Sequence, residues 1–115
     1  MCEIKKRIGN YARFKDCTVD ALQNLLEVWG NENNLEERQN GGISIREVFE
    51  IASMLGEENV RVDGYIIYPP REDARITVDT IKVRGIDIGE VLAQTRTRSP
   101  DDVWEEGDWT CAWWD

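Results

Sequence analysis

The last fifteen residues of the chain concentrate two kinds of side chain that recognise other molecules. Four of the five tryptophans lie there, together with six carboxylates and no Lys or Arg. The residues concerned are Asp101, Asp102, Trp104, Glu105, Glu106, Asp108, Trp109, Trp113, Trp114 and Asp115. Tryptophan is enriched at interface hot spots, and a cation over an indole face adds about 0.5–2 kcal/mol. The segment therefore predicts a surface that binds a basic partner.

A structural explanation of the same tryptophans competes with this one. If residues 108–114 form a strand, Trp109, Cys111 and Trp113 share one face and Trp114 lies on the other. We expect the first face to enter the core, because tryptophan buries a large apolar area, and Trp114 to remain outside. Core packing does not explain why Lys and Arg are missing. The candidate partner-binding residues are Asp101, Asp102, Trp104, Glu105, Glu106, Asp108 and Trp114.

Catalytic chemistry has little support in the sequence. The chain has no histidine, which removes the commonest general base. Cys17 precedes a predicted helix, but no base lies near it in sequence, and a structural thiol is the favoured interpretation. The acids of DDVWEEGD do not match the spacing of a calcium loop, and Gly41-Gly42 lacks the lysine of a phosphate-binding loop. We expect no enzyme activity, no cofactor and no metal.

Charge is distributed unevenly along the chain. The net charge is −9, yet the first seventeen residues carry five cations against two acids. An acidic molecule repels nucleic acid and anionic membrane and favours a basic protein as its partner. A further interpretation places the acidic tail against the basic N-terminal segment, within one molecule or across a homodimer. Solubility alone is the simplest use of the charge.

The three cysteines, Cys2, Cys17 and Cys111, fit neither a disulfide framework nor a zinc site, because their count is odd and no spacing is short. The N-terminus has no signal-peptide apolar run, and no stretch approaches the roughly 18 apolar residues of a membrane span. These features predict a cytoplasmic protein with reduced thiols and no membrane association.

Helix signals are clear at three places and weaker at a fourth. Residues 18–29 have Thr18 as N-cap and an apolar face ending at Trp29, and residues 43–56 have a Ser44–Glu47 capping box. Residues 86–92 repeat this pattern with Asp87 as N-cap. Residues 99–106 offer Ser99 as N-cap and Pro100 at the first helical position, which predicts one or two turns before Gly107.

Strand signals fill the remaining segments. Residues 60–68 contain Asp63-Gly64 between apolar runs, which predicts a hairpin with those two residues as its turn. Residues 74–85 alternate and then change phase, which predicts a bulge near Asp79 and Thr80. We expect a further strand at residues 7–15 and an exposed loop at residues 31–42.

These elements predict one domain, residues 1–115, of the α+β class: a small, mainly antiparallel sheet with two or three helices packed on one face. We expect a non-catalytic protein that docks its Trp- and carboxylate-rich surface onto a basic protein, plausibly inhibiting a nucleic-acid-binding factor by imitating nucleic acid. The analogy to short acidic inhibitors of phages and mobile elements is one of composition alone. Two alternatives remain. One is an assembly subunit whose C-terminal strand pairs with another chain; the other is a winged-helix-like regulator, against which the acids Glu47 and Glu50 on its second helix argue.

Overall fold

The computed structural model describes residues 2–31 and 33–115. Within them, six strands form one antiparallel sheet, and three α-helices pack on one face of it. The strands are β1 (Glu3–Ile4), β2 (Tyr11–Thr18), β3 (Val60–Ile67), β4 (Arg75–Arg84), β5 (Asp102–Glu106) and β6 (Trp109–Trp113). The helices are α1 (Val19–Trp29), α2 (Ile45–Leu55) and α3 (Ile88–Leu92). The predicted α+β class is confirmed.

The sheet order is β1-β2-β3-β4-β6-β5, with every neighbouring pair antiparallel. The sheet order follows the chain order except at the end, where β6 lies between β4 and β5. The outer edges of the sheet are therefore β1 and β5.

The three stronger helix predictions are confirmed at their caps. The Thr18 hydroxyl accepts a hydrogen bond from the Ala21 amide, and Asp87 accepts one from the Gly89 amide. Ser44 and Glu47 form the reciprocal capping box at the start of α2. These helices begin where their caps predict, because capping is decided by residues only two or three positions apart.

The core lies between the helices and one face of the sheet. Ile76, Val78, Ile81 and Val83 of β4 are at most 2% exposed and share one cluster with the buried residues of all three helices. The predicted change of phase in β4 is confirmed. Asp63 faces Thr80 and Gly64 faces Val78, which leaves Asp79 as the extra residue of a bulge.

The predicted hairpin at residues 60–68 is wrong. Residues Val60–Ile67 form the single strand β3, paired with β2 on one side and β4 on the other. Gly64 is required for packing rather than for a turn, because a Cβ there would lie 1.9 Å from the Thr77 carbonyl oxygen and 2.6 Å from the Phe14 ring.

The predicted helix at residues 99–106 is also wrong. Residues Asp102–Glu106 form β5, which joins β6 through the two residues Gly107 and Asp108. Gly107 has φ +59°, as a turn with glycine at its first central position requires. A two-residue hairpin turn therefore forms at Gly107-Asp108, whereas Asp63-Gly64 lies inside a strand.

Two further segments differ from expectation. The N-terminal strand β2 starts at Tyr11 rather than Arg7, and the short β1 pairs with it. The loop at residues 33–42 is not wholly exposed: Asn34 is 1% exposed and exchanges two hydrogen bonds with the backbone of Ile76. β6 pairs with β4 only at residues 80–84. At Ile76 the side-chain amide of Asn34 makes the backbone hydrogen bonds that a neighbouring strand would otherwise make.

Cys2 and Cys17 are joined by a disulfide bond, which corrects the expectation that no cysteines pair. The bond fixes the segment before β1 to the end of β2. Cys111 is free and buried. Among the described residues, no helix has the length and apolar character needed to cross a membrane.

Candidate functional site

The face of the sheet opposite the helices carries charged and aromatic side chains. Every β4 residue from 76 to 83 is buried, so the polar members Thr77, Asp79, Thr80 and Lys82 are buried too. The buried residues of all three helices belong to the apolar cluster on the other side, so among the described residues no helix covers this second face. We call it the polar face.

Lys82 lies near the centre of the polar face, and its side chain is only 6% exposed. Its ammonium lies 2.8 Å from an Asp16 carboxylate oxygen and 3.5 Å from oxygens of Asp63 and Glu106. Burial alone would lower the pKa of Lys82, but the hydrogen bond to Asp16 and the nearby carboxylates outweigh it and raise that pKa. The hydrogen bond from Lys82 in turn lowers the pKa of Asp16. The cluster sets one protonated lysine against three carboxylates, and it connects the strands that carry them.

Backbone irregularities make this cluster fit. The pairing of β2 with β3 shifts between Phe14 and Cys17, where Asp16 adopts φ 52°. In that conformation the Asp16 amide donates to Asp63 at 2.8 Å while its carboxylate contacts Lys82. The bulge at Asp79 likewise positions a charged side chain. The Asp79 carboxylate accepts two hydrogen bonds from the Arg13 guanidinium, at 2.7 and 3.2 Å.

The indoles of β5 and β6 line the other end of the polar face. Trp109 lies between two guanidinium groups, with Arg61 at 5.2 Å and Arg84 at 4.9 Å from the ring centroid. Trp104 is half-buried, and its Nε1 donates to Glu106 at 2.9 Å. The Trp109 ring is thus already occupied by cations of the same chain, whereas the Trp104 ring is fixed in orientation and partly accessible.

Trp114 does not face solvent, and the expectation that it does is wrong. It is 1% exposed, and its Nε1 donates to the Arg98 carbonyl at 2.9 Å. The register sets Ala112 opposite the core residue Ile81, so alternation carries Trp114 to the helix side as well. Its ring packs on Gly42, where an added Cβ would lie 2.9 Å from it.

Trp109 and Trp113, which we expected in the core, are instead half-buried on the polar face. The predicted alternation along the strand is confirmed, but its inside and outside are reversed. Trp114 therefore leaves the set of residues able to offer a ring to a partner.

The acids of the tail fall into two groups. Asp101 accepts hydrogen bonds from Arg98 and from the Asp115 amide, which lower the pKa of its carboxyl, and Glu106 lies in the Lys82 cluster. Asp102, Glu105 and Asp108 are exposed and form no ion pair with any described residue. The structure thus brings Trp104, Glu106 and the three unpaired acids onto one β-hairpin at the edge of the sheet.

The acidic tail does not lie against the basic N-terminal segment of the same molecule. β1 and β5 are the opposite edges of the sheet. Five strand spacings separate them, roughly 24 Å, which is about three Debye lengths at physiological salt. The intramolecular version of this interpretation is therefore wrong, and the version across two copies remains.

Sequence reasoning missed the cations of the polar face, above all Lys82, Arg61 and Arg84. A signal for Lys82 was available in the alternation of residues 74–85, where it lies opposite in phase to Ile81 and Val83. In the structure its side chain is only 6% exposed, because carboxylates of the neighbouring strands β2, β3 and β5 surround its ammonium.

The C-terminal strand proposed for assembly has no free edge, because β6 pairs with β4 and with β5. Comparison of the chain with protein-family models, curated proteins and solved structures gives no match. The geometry of the site therefore carries the functional argument by itself.

Proposed function

We propose that this chain is a non-catalytic binding protein that docks its β5–β6 hairpin onto a basic surface of another protein. The observation that carries the proposal is a set of exposed carboxylates, Asp102, Glu105 and Asp108, beside the half-buried indole of Trp104; none of the three forms an ion pair within the described part of the chain. Carboxylates and an indole together are complementary to Lys- and Arg-rich segments.

The fixed orientation of Trp104 supports this proposal. Its hydrogen bond to Glu106 holds the ring in place before a partner arrives, so less side-chain entropy is lost on binding. Glu106 is itself fixed by Lys82. The cluster thereby links the hairpin to the buried lysine near the centre of the polar face.

The positions of the acids favour a flexible basic segment as the partner. Asp102 shares the polar face with Trp104 and Glu106, whereas Glu105 lies on the other face of β5 and Asp108 is in the turn. Carboxylates on several sides of a hairpin can be contacted by a segment that wraps around it. We propose as the more specific form that the partner is a nucleic-acid-binding protein, because such proteins expose the Lys and Arg that neutralise phosphates.

We also propose that the protein acts in the cytoplasm, and this location implies that the Cys2–Cys17 disulfide is reduced there. Disulfides persist mainly in oxidising compartments, so in the cytoplasm Cys2 and Cys17 would be expected as two thiols. The docking hairpin lies at the opposite edge of the sheet, and its proposed function does not depend on that bond.

A labelled deca-arginine peptide tests the proposal by fluorescence anisotropy over a series of salt concentrations. In the triple variant Asp102→Asn, Glu105→Gln, Asp108→Asn we expect at least about tenfold weaker binding, from roughly 0.5 kcal/mol for each exposed charge. Trp104→Ala should weaken binding by a further factor of about 2 to 30.

The matched control is the triple variant Glu27→Gln, Glu50→Gln, Glu57→Gln, which removes the same three charges from exposed helical positions. We expect it to change the affinity by less than about twofold. If both triple variants lose affinity equally, the attraction comes from net charge and the hairpin is not a docking site.

A further inference from the structure

The two edge strands of the sheet have complementary charge. β5 carries Asp102 and Glu105, which form no ion pair with residues 2–31 or 33–115, and β1 leads into the exposed cations Lys5, Lys6 and Arg7. An edge strand also leaves a row of backbone N–H and C=O groups unpaired. Each edge thus has both the charge and the backbone groups that the other edge could satisfy in a second molecule.

Hydrogen-bond alternation identifies which backbone groups face outward. The Lys5 amide donates to the Arg13 carbonyl, so its neighbour Ile4 directs its own N–H and C=O away from β2. At the other edge, the two-residue turn makes Glu106 and Trp109 a hydrogen-bonded pair, so Val103 directs its backbone groups away from β6.

The side chains of these two residues are exposed apolar groups on the same side of the sheet. Ile4 is 49% exposed and lies opposite the core residue Phe14, and Val103 is 53% exposed and lies opposite the core residue Ala112. Both therefore extend toward the helix side. Pairing them would cover two of the few large apolar side chains that remain exposed.

We propose that β5 of one molecule pairs with β1 of a second copy of this chain, antiparallel and with Val103 opposite Ile4. The antiparallel direction follows because strand directions alternate across the sheet, so β5 and β1 run oppositely when a second copy continues it. The proposal rests on the docking function of the hairpin and names its basic partner as another copy. Because the two surfaces differ, the contact is heterologous and extends into an open chain or a ring.

Charge selects this register. With Val103 opposite Ile4, Asp102 lies opposite Lys5 at a non-hydrogen-bonded pair, where side chains approach most closely. A shift of two residues in one direction sets Asp102 opposite Arg7 but Glu106 opposite Glu3, and a shift in the other direction sets Asp102 opposite Glu3. Both alternatives place like charges opposite each other, which is unfavourable.

The contact is small, because β1 has only two residues and β5 has five. An interface of this size is expected to be transient, with association visible between about 10 µM and about 1 mM. Sedimentation velocity of the full chain over that range should show a mass that rises with concentration.

Charge reversal and complementation test the pairing directly. Asp102→Lys and Lys5→Glu each set like charges opposite each other, so each variant alone should remain monomeric. Mixed in equal amounts, the two variants restore opposite charges at every contact and should assemble like the wild type. Glu50→Lys is the matched control, because it reverses one negative charge at an exposed position of α2, outside both edge strands, and should leave assembly intact.

A backbone variant separates strand pairing from simple charge attraction. Val103→Pro removes an N–H that faces away from the sheet, which edge strands tolerate, and should abolish assembly while the folded circular dichroism spectrum is kept. A wild type that stays monomeric at about 1 mM overturns the inference, and Lys5 and Lys6, which follow β1, then protect this edge from pairing. Assembly that survives Val103→Pro, or a mixture that stays monomeric, overturns it equally.

The deca-arginine assay separates this inference from the proposed function. Lys5→Glu should be monomeric and still bind the peptide through its intact hairpin. A monomeric wild type that binds the peptide refutes only the pairing with a second copy. A wild type that assembles but does not bind the peptide refutes the general docking of basic segments and leaves strand pairing as the origin of assembly.

Discussion

Replacing Lys82 by methionine should destabilise the protein strongly, although lysine is the residue type most often found at the surface. The side chain of Lys82 is 6% exposed, and that of its neighbour Asp63 is 7% exposed. Methionine has a similar length and no charge, so Lys82→Met removes the cation and preserves most of the packing. The carboxylate of Asp63 is then left buried without a counter-ion.

The loss of unfolding free energy expected for Lys82→Met follows from the exposure of the three carboxylates around it. Asp16 and Glu106 are 50% and 52% exposed, so water can solvate them when the ammonium is gone, and each pair contributes no more than about 1 kcal/mol. Removing one partner of a buried pair costs about 3–5 kcal/mol. The Asp16 amide still donates to Asp63, which favours the lower end, so we expect a loss of about 3 kcal/mol.

A double-mutant cycle measured by urea unfolding, with tryptophan fluorescence as the signal, tests this reasoning. Asp63→Asn alone should cost about 1 kcal/mol, since Lys82 keeps Asp16 and Glu106. The double variant should lose only about 1.5 kcal/mol, because no orphaned charge remains, which gives a coupling of roughly 2.5 kcal/mol.

Lys15→Met is the matched control for this cycle. Lys15 is half-buried and forms no ion pair with a described residue, so its replacement should stay within about 0.5 kcal/mol of the wild type. A loss below about 1 kcal/mol for Lys82→Met would refute the reasoning, because the cluster would then be solvated.

The pKa shifts of Lys82 and Asp16 determine how the free energy of unfolding of the wild type changes with pH. The pKa of Lys82 is raised in the folded state, so its contribution is complete below the unfolded value of 10.5 and is lost as pH rises through the higher folded value. The pKa of Asp16 is lowered, so its contribution is present above the unfolded value of 3.8 and is lost as pH falls through the folded value.

Three further predictions concern single positions. Gly64→Ala should lower the free energy of unfolding by about 3 kcal/mol or more in the same urea assay, and a smaller loss would mean that β3 and β4 can separate there. Cys2→Ser should cost about 3 kcal/mol for a closed loop of 15 residues, and a reductant should lower the wild type equally while leaving the variant unchanged. Burial, with the charge of Glu106, raises the pKa of Cys111 to about 11, so at about pH 8 only about 0.1% is thiolate and Ellman's reagent should label it only after unfolding. Rapid labelling of the native protein would contradict that last expectation.

The helices could be predicted because their signals are local. Thr18, Asp87 and the Ser44–Glu47 pair each satisfy amides two or three positions away. The bulge near Asp79 was predictable for the same reason, since a change of phase is visible along a single strand. Such elements require no knowledge of what lies across the sheet.

Asp63-Gly64 shows why the rest could not be predicted. The pair has the composition of a tight turn, but each residue has a partner distant in sequence: the Asp63 carboxylate contacts Lys82, and Gly64 makes room for the Phe14 ring. At the C-terminus, Gly107-Asp108 has similar turn chemistry and does form a turn, because β6 folds back on β5. Local propensity is equal in the two cases, and tertiary pairing decides between them.

The reversed faces of the C-terminal strand have a consequence for function. Apolar content alone would bury the side with two tryptophans, yet Trp114 takes the core position because Gly42 leaves space for its ring and the Arg98 carbonyl accepts its N–H. The opposite side then meets the polar face, where Lys82 holds Glu106 and Glu106 holds the indole of Trp104. A buried cation at the centre of the sheet is thus linked, through one carboxylate, to the ring at its edge. If that link orients the ring, Lys82→Met should weaken deca-arginine binding even in conditions where the variant remains fully folded.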